Sequence, residues 1–161
     1  MIRRIRSDEW SEWRDLRLRA LRDAPSAFGS TFAISVGYLD SEWQARTRRG
    51  ALSRELAIFI SENGDLLDGC SALEASEDGE GWLLSMWVAP HARGKGIGRA
   101  LIGAVVARAQ ELGLNQVNLH VNATNSQAIA LYERCGFAAT GVMMPMERDP
   151  SIIESEMSRP V

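Results

Sequence analysis

Lysine, histidine and cysteine are scarce in this chain of 161 residues. Lys95 is the single lysine beside 17 arginines, His91 and His120 are the two histidines, and Cys70 and Cys135 are the two cysteines. Two isolated thiols exclude a disulfide framework and a four-ligand zinc site, and no metal is expected. They fit reduced thiols in a cytoplasmic protein. No apolar run approaches the roughly 18 residues that a membrane span needs, so no membrane partner is expected. The start, Met1-Ile2-Arg3-Arg4-Ile5-Arg6, is charged but lacks the apolar stretch that follows in a secretory leader. No repeat, low-complexity tract or linker divides the chain, so residues 1–161 read as a single domain. A net charge of −3 offers no general attraction to nucleic acid.

Hydrophobic residues make up 45% of the chain, enough for a substantial core, and charged residues 24%, ordinary for a folded domain. The charge is unevenly spread. Eight acidic and no basic residues fall between Glu55 and Glu80, and seven arginines between Arg3 and Arg22. Two solvated faces account for this; an acidic surface that draws in a cationic substrate also does.

Periodicity divides the chain into elements. Ile2 to Arg6 alternates as a short strand. Ser7 offers an N-cap to a helix with Asp8 and Glu9 in its first turn, and Trp10, Trp13, Leu16, Leu18 and Leu21 form its apolar stripe. Pro25 and Gly29 interrupt it. A short helix is expected over Phe28 to Val36, and a further one, capped by Asp40 or Ser41, around Trp43 and Arg46. From Leu56 the period shortens to that of strands. Leu56–Ile60, Leu66–Leu73 and Trp82–Val88, separated by turns at Asn63-Gly64 and Glu77 to Gly81, predict an antiparallel meander. A long helix follows through Ile97, Leu101, Val105 and Leu112, stopped by Gly113. A strand at Val117–Val121, a helix at Ser126–Arg134 ended by Gly136, and closing strands at Phe137–Val142 and Ile152–Met157 complete the order β-α-α-βββ-α-β-α-β-β. This is a mixed α/β (α+β) domain around one central sheet.

The most informative segment joins the third meander strand to the long helix: Pro90-His91-Ala92-Arg93-Gly94-Lys95-Gly96-Ile97-Gly98-Arg99. Glycines at alternate positions allow close backbone approach to a ligand. Amides at a helix start have no internal partner and attract phosphate. Arg93, Lys95 and Arg99 add full positive charge. The dinucleotide pattern G-x-G-x-x-G fails, because Arg99 and Leu101 occupy its last position in the two registers, and a Walker loop fails because Gly96 follows Gly94-Lys95. The pattern R-x-x-G-x-G is met by Arg93, Gly96 and Gly98. In this, the segment resembles the acyl-CoA pyrophosphate loop of the GNAT superfamily of N-acetyltransferases. Downstream, Asn125, Ala128, Leu131, Tyr132, Gly136 and Phe137 are similar to the second signature of that family, N-x-x-A-x-x-L-Y-x-x-x-G-F. The clear resemblance spans Trp82 to Val142; the N-terminal half matches in element order.

The resemblance implies a GNAT-like mixed sheet and the transfer of an acetyl group from acetyl-CoA, as co-substrate, to a primary amine. Backbone amides of Arg93, Gly94, Lys95, Gly96, Ile97, Gly98 and Arg99 would hold the pyrophosphate. Asn125 would cap its helix and contact the CoA arm. Main-chain groups of Trp87 and Val88 would pair with the pantetheine amides, where the strands Trp82–Val88 and Val117–Val121 splay apart. Tyr132 would protonate the departing thiolate, since a thiol is the better acid by only about 1–2 pK units. Many relatives carry a glutamate base on the third meander strand, but Leu84, Ser85 and Met86 supply none. Others carry it five residues before the asparagine, which is His120 here. Asn118, His120 and Asn122 share one strand face, and an imidazole titrates near neutrality. His91 reads as solvated. Glu42, Glu55, Glu74 and Glu80 remain as other bases or substrate contacts. Phe28 and Trp43 lie in the region that forms the acceptor wall in similar enzymes, while Trp10, Trp13 and Trp43 read as helix core.

Direct attack in a ternary complex is expected rather than a covalent acyl-enzyme on Cys135. The acceptor is expected to be a small molecule; a protein N-terminus or lysine, or a non-catalytic acyl-CoA-binding role, are the alternatives. Homodimerisation is common among similar proteins.

Overall fold

The meander forms as its period predicts. In the computed structural model, which describes residues 1–161, β2 (Leu56–Asn63), β3 (Leu66–Ala75) and β4 (Glu80–Val88) pair antiparallel, with β1 (Ile2–Arg4) added beside β2. Between β1 and β2 lie α1 (Trp10–Asp23), α2 (Phe32–Val36) and α3 (Asp40–Leu52). After β4 come α4 (Ile97–Glu111), β5 (Gln116–Asn122), α5 (Ser126–Arg134), β6 (Ala138–Pro145) and β7 (Ile153–Pro160). The strands make one sheet in the order β1-β2-β3-β4-β5-β7-β6, parallel only between β4 and β5. This is the expected mixed sheet; the short helix expected over Phe28 to Val36 is present as α2, which makes three helices where the order β-α-α-βββ-α-β-α-β-β has two.

Several boundaries differ, for local reasons. The first strand stops at Arg4, and α1 starts at Trp10 with no side-chain cap, so Ser7 does not cap it. Glu9 instead turns back to accept from the Arg6 amide (2.7 Å). The second helix covers only Phe32–Val36, because the Thr31 hydroxyl accepts from the Ile34 amide and starts it there. Neither Asp40 nor Ser41 caps α3; the Glu42 carboxylate accepts from the Leu39 amide at 2.7 Å.

The sheet is covered on both faces. Ile58, Ile60, Cys70, Ala72 and Trp87 pack with Trp13, Leu16 and Trp43 under α1 and α3. Leu73, Leu83, Val117, Leu119 and Val121 pack with Ile102, Val105 and Tyr132 under α4 and α5. Trp13 and Trp43 are therefore core, as expected.

β4 changes face partway along. Ala72 pairs with Leu84, yet Cys70 pairs with Trp87, so Ser85 and Met86 together oppose Ser71. Ser85 has φ of 55°, the only left-handed non-glycine residue, and its carbonyl accepts from the Cys70 thiol at 3.1 Å. This is a β-bulge, which bends a strand and re-aims its side chains. It puts Trp87 on the α1 face, where strict alternation from Trp82 would have put Met86. β4 and β5 pair only over Glu80–Trp82 against Gln116–Asn118. Glu80 secures that end, accepting from Asn118 (2.6 Å) and Gln116 (3.0 Å). Beyond it the two strands part.

The arginines of the N-terminal segment are mostly structural. Arg3 forks between Glu9 (2.6 Å) and Glu62 (2.9 Å). Arg4 donates to the carbonyls of Gly50, Ser53 and Leu56, and Arg19 to that of Leu67. The Arg3 hydrogen bonds hold the Glu9 and Glu62 carboxylates below their usual pKa. A depressed carboxylate stabilises the fold above its unfolded pKa and loses that contribution as pH falls through the folded value. Glu9→Gln is therefore expected to cost about 1–3 kcal/mol at neutral pH. It should also flatten the fall in melting temperature below pH 4.5. Melting curves from pH 2 to 8 check both (about six points suffice).

Candidate active site

The loop before α4 has the geometry its glycines predict. Gly94 and Gly96 have φ of 76° and 80°, and nothing stands within 4 Å of a Cβ added at either. Gly96 is the N-cap of α4, so the first amides of that helix face away from any side-chain cap. Gly98 has a different reason. It is helical, and an added Cβ would lie 3.0 Å from Leu131 and 3.4 Å from Met86, so its smallness lets α4 approach α5 and β4.

A cavity of about 1360 Å³ occupies the space where β4 and β5 part. Arg93, Gly94, Gly96, Ile97, Gly98 and Arg99 line it; Lys95 does not. Trp87, Val88, Asn125, Tyr132 and His120 line it too, so the two sequence motifs meet on one space. Asn125 caps α5, its side chain accepting from the Ala128 amide at 3.2 Å.

Two groups in this set are already engaged. Arg93 donates to the Val88 carbonyl (2.9 Å) and pairs with Asp23 at the end of α1. Trp87 Nε1 donates to the same carboxylate at 2.9 Å. Asp23 thus holds α1 against the loop, and the Val88 carbonyl has a donor before any ligand arrives.

The cavity reaches both faces of the sheet. Tyr132 comes from the α5 side, 6% exposed, its ring 6.0 Å from that of Phe137. Burial pushes its phenol well above the usual value, so it stays protonated as a donor. His120 lies on the other face. Its ring is 4.9 Å from that of Trp82, and Nε2 is 3.5 Å from the Glu156 carboxylate across the β5–β7 pair. His91 is exposed, as expected.

The alternative glutamates are elsewhere. Glu80 closes the paired end of β4–β5, Glu42 starts α3, Glu55 accepts from Ser53 and Glu74 from Arg49. None of the eight acidic residues between Glu55 and Glu80 lines the cavity. Trp43 is buried away from it, whereas Phe28 lines it. Sequence reasoning missed Glu154 and Glu156. They face Asn122 and His120 directly across β7, and their alternation within Ile152–Met157 was the available signal. It also missed Arg17, which lines the cavity from α1.

Both thiols are poor nucleophiles. Burial pushes Cys70 up to about 11 and raises Cys135 as well, and the thiolate is the reactive form.

Residues 2–137 match the family described as Acetyltransferase (GNAT) family, a span that reaches well before the motif region. A mycothiol acetyltransferase of Propionibacterium freudenreichii subsp. shermanii is 39% identical over 85 residues, covering 52% of this chain and 27% of that protein. The chain spans less than two thirds of the length of the first curated relatives it matches. Among solved structures, a GNAT-family acetyltransferase from Streptococcus pneumoniae aligns with a TM-score of 0.83 at 18% identity, over 100% of this chain and 98% of that one. A putative acetyltransferase from Salmonella typhimurium, solved with its cofactor acetyl-CoA, aligns at 0.79 and 19% identity, over 99% and 92%. These likenesses confirm the fold.

The loop geometry makes a stability prediction. At Gly96 a Cβ finds open space but a left-handed backbone, so Gly96→Ala should cost about 1–2 kcal/mol. Gly103, in the interior of α4 and also in open space, lacks that conformation, so Gly103→Ala should add about 1 kcal/mol. Urea unfolding of the two variants checks the opposite signs.

Proposed function

Because the chain belongs to the acetyltransferase (GNAT) family, we propose that it moves the acetyl group of acetyl-CoA to the primary amine of a small molecule, by direct attack with both substrates bound. The observation that carries this reading is the single cavity through the gap between β4 and β5, with the glycine loop and Tyr132 on one side and His120 and Trp82 on the other. Its volume exceeds the roughly 300–1,000 Å³ of a pocket for one small ligand, leaving room for a long cofactor and an acceptor.

The residues present suit acetyl-CoA. Left-handed glycines with open space before a helix start make an anion cradle, and Arg99 stands beside it. The acetyl-CoA bound in the Salmonella typhimurium neighbour supports the same choice. When bound, that molecule supplies an activated acetyl thioester. The amides from Arg93 to Arg99 hold its diphosphate, and Asn125 meets its arm from the start of α5. Main-chain groups of Trp87 and Val88 flank the pantetheine; the Val88 carbonyl takes this part only if it shares or exchanges its bond from Arg93.

Tyr132 donates to the sulfur as the thiolate leaves. His120, oriented by Glu156, accepts the proton of the attacking amine directly or through water. The raised thiol pKa values favour this direct route over an acyl-enzyme.

A small acceptor is supported by the mouth of the cavity. Residues 26–30 line it, and Arg148 from the β6–β7 connection ties that loop down through the carbonyls of Pro25 (2.6 Å) and Phe28 (2.9 Å). A polypeptide acceptor would have to displace that tie. A relative named as a mycothiol acetyltransferase supports a small acceptor as well.

Tyr132→Phe tests the reading. Turnover with an accepted amine should fall by about 10²–10⁴-fold, the span for a lost general acid. The calorimetric Kd for acetyl-CoA should stay within about twofold, since the removed hydroxyl serves the proton transfer. Unchanged turnover removes Tyr132 from the chemistry. Acetyl-CoA binding with no turnover by the unmodified protein, over a broad amine panel, favours a binding module.

A further inference from the structure

Arg17 differs from its neighbours in the N-terminal segment. Arg3, Arg4, Arg6, Arg14 and Arg19 each donate to a carboxylate or a carbonyl. Arg22 is exposed and needs no partner. Arg17 is largely withdrawn from solvent, yet it makes no ion pair, and its Nη1 is a buried donor without an acceptor. An unsatisfied buried donor is costly, the more so when charged. Its guanidinium lies over the Phe28 ring (4.6 Å) and near that of Trp13 (6.0 Å), so aromatic faces hold the cation without satisfying its N–H groups. Burial without a counter-charge pulls its pKa below the ordinary arginine value.

Its position identifies which substrate it meets. Six residues separate Arg17 from Asp23, about 9 Å along α1. Asp23 is the residue that holds Arg93 at the cofactor loop. Arg17 thus stands along the helix from the diphosphate end. It belongs to the face of the sheet that carries Trp82, His120 and Glu154, and it lines the same cavity. The carboxylates lining that cavity are Asp23, already paired with Arg93, and Glu154 on β7. One end of the acceptor space is therefore acidic and carries the imidazole. The other presents an unused planar fork of donors, suited to a carboxylate.

We propose that Arg17 binds the carboxylate of the acceptor, so that the substrate class is an amine that also carries a carboxylate, as in an α-amino acid. The inference rests on the acetyl-transfer reading above and narrows it. The acceptor carboxylate spans the donors of Arg17 over the Phe28 ring, while its amine points toward His120 and Glu154.

The test compares L-leucine, L-methionine and L-phenylalanine with their α-carboxamides as acceptors, in the unmodified protein, Arg17→Gln and Arg17→Lys. The readout is the ratio of kcat/KM for acid over amide. Comparing that ratio between proteins cancels the intrinsic reactivity of each amine. Arg17→Gln should lower it by about tenfold to a hundredfold, the range for losing a charge-assisted hydrogen bond, and Arg17→Lys should lower it less. A merely structural role would change rates for acid and amide alike. Melting temperature and the Kd for acetyl-CoA verify that each variant folds and binds.

A second arm needs no turnover: calorimetry of the N-acetyl amino acids and their amides on CoA-loaded protein, with the same ratio expected to shift. Equal ratios in the unmodified protein and Arg17→Gln, in either arm, overturn the assignment while leaving acetyl transfer intact. Absence of acetyl-CoA binding, or of transfer to any amine, overturns the transferase reading and this inference with it.

Discussion

β4 and β5 run side by side for three residues and then separate, and the rest of the molecule depends on that separation. Two parallel strands joined by a crossover helix would ordinarily continue pairing, since unpaired backbone groups are costly. Here the pairing is anchored at one end by Glu80, Asn118 and Gln116. It ends at Trp82, and farther along β4 the bulge at Ser85 and Met86, with the Ser85 carbonyl bound by the Cys70 thiol, re-aims the unpaired length. The unpaired length opens a passage through the sheet. A passage open to both faces lets two substrates approach one point from opposite sides, which is the geometric requirement of direct transfer.

The flanking elements supply different chemistry to each face. On the α4–α5 side, glycine backbone and a buried phenol line the passage. On the α1 side, a charged inventory meets an aromatic floor: Arg17 over Phe28, His120 against Trp82 and Glu156, Glu154 beyond. Asp23 couples the two sides, because one carboxylate holds both the Trp87 indole of β4 and the Arg93 guanidinium of the loop. The position of α1, and with it that of Arg17, is tied to the glycine loop through this contact.

The glycine loop and the start of α5 were legible in the sequence because backbone chemistry leaves a compositional trace. Left-handed positions at Gly94 and Gly96 need glycine, and the cap of α5 needs a residue such as Asn125. The meander was legible because alternation reports burial directly. The bulge was not, since Ser85 and Met86 are ordinary strand residues and the extra residue shows only against its partner strand. The α1 side of the passage was equally hidden. Seven arginines near the N-terminus look alike in sequence, and only their partners separate six with structural or solvated roles from Arg17. Of the acidic run from Glu55 to Glu80, Glu62 binds Arg3 and Glu74 binds Arg49, and none of its side chains lines the cavity. Likewise Ser7 and Asp40 have good capping chemistry, but Glu9 and Glu42 bind the local amides instead.

The proposed transfer depends first on where acetyl-CoA meets the backbone. Amide-resolved NMR of the labelled protein, titrated with acetyl-CoA, reads this without relying on turnover. The largest shifts are expected at the Gly94–Arg99 amides, together with those flanking the bulge from Ser85 to Val88. Saturable shifts confined to other parts of the surface, with these amides unmoved, would contradict it.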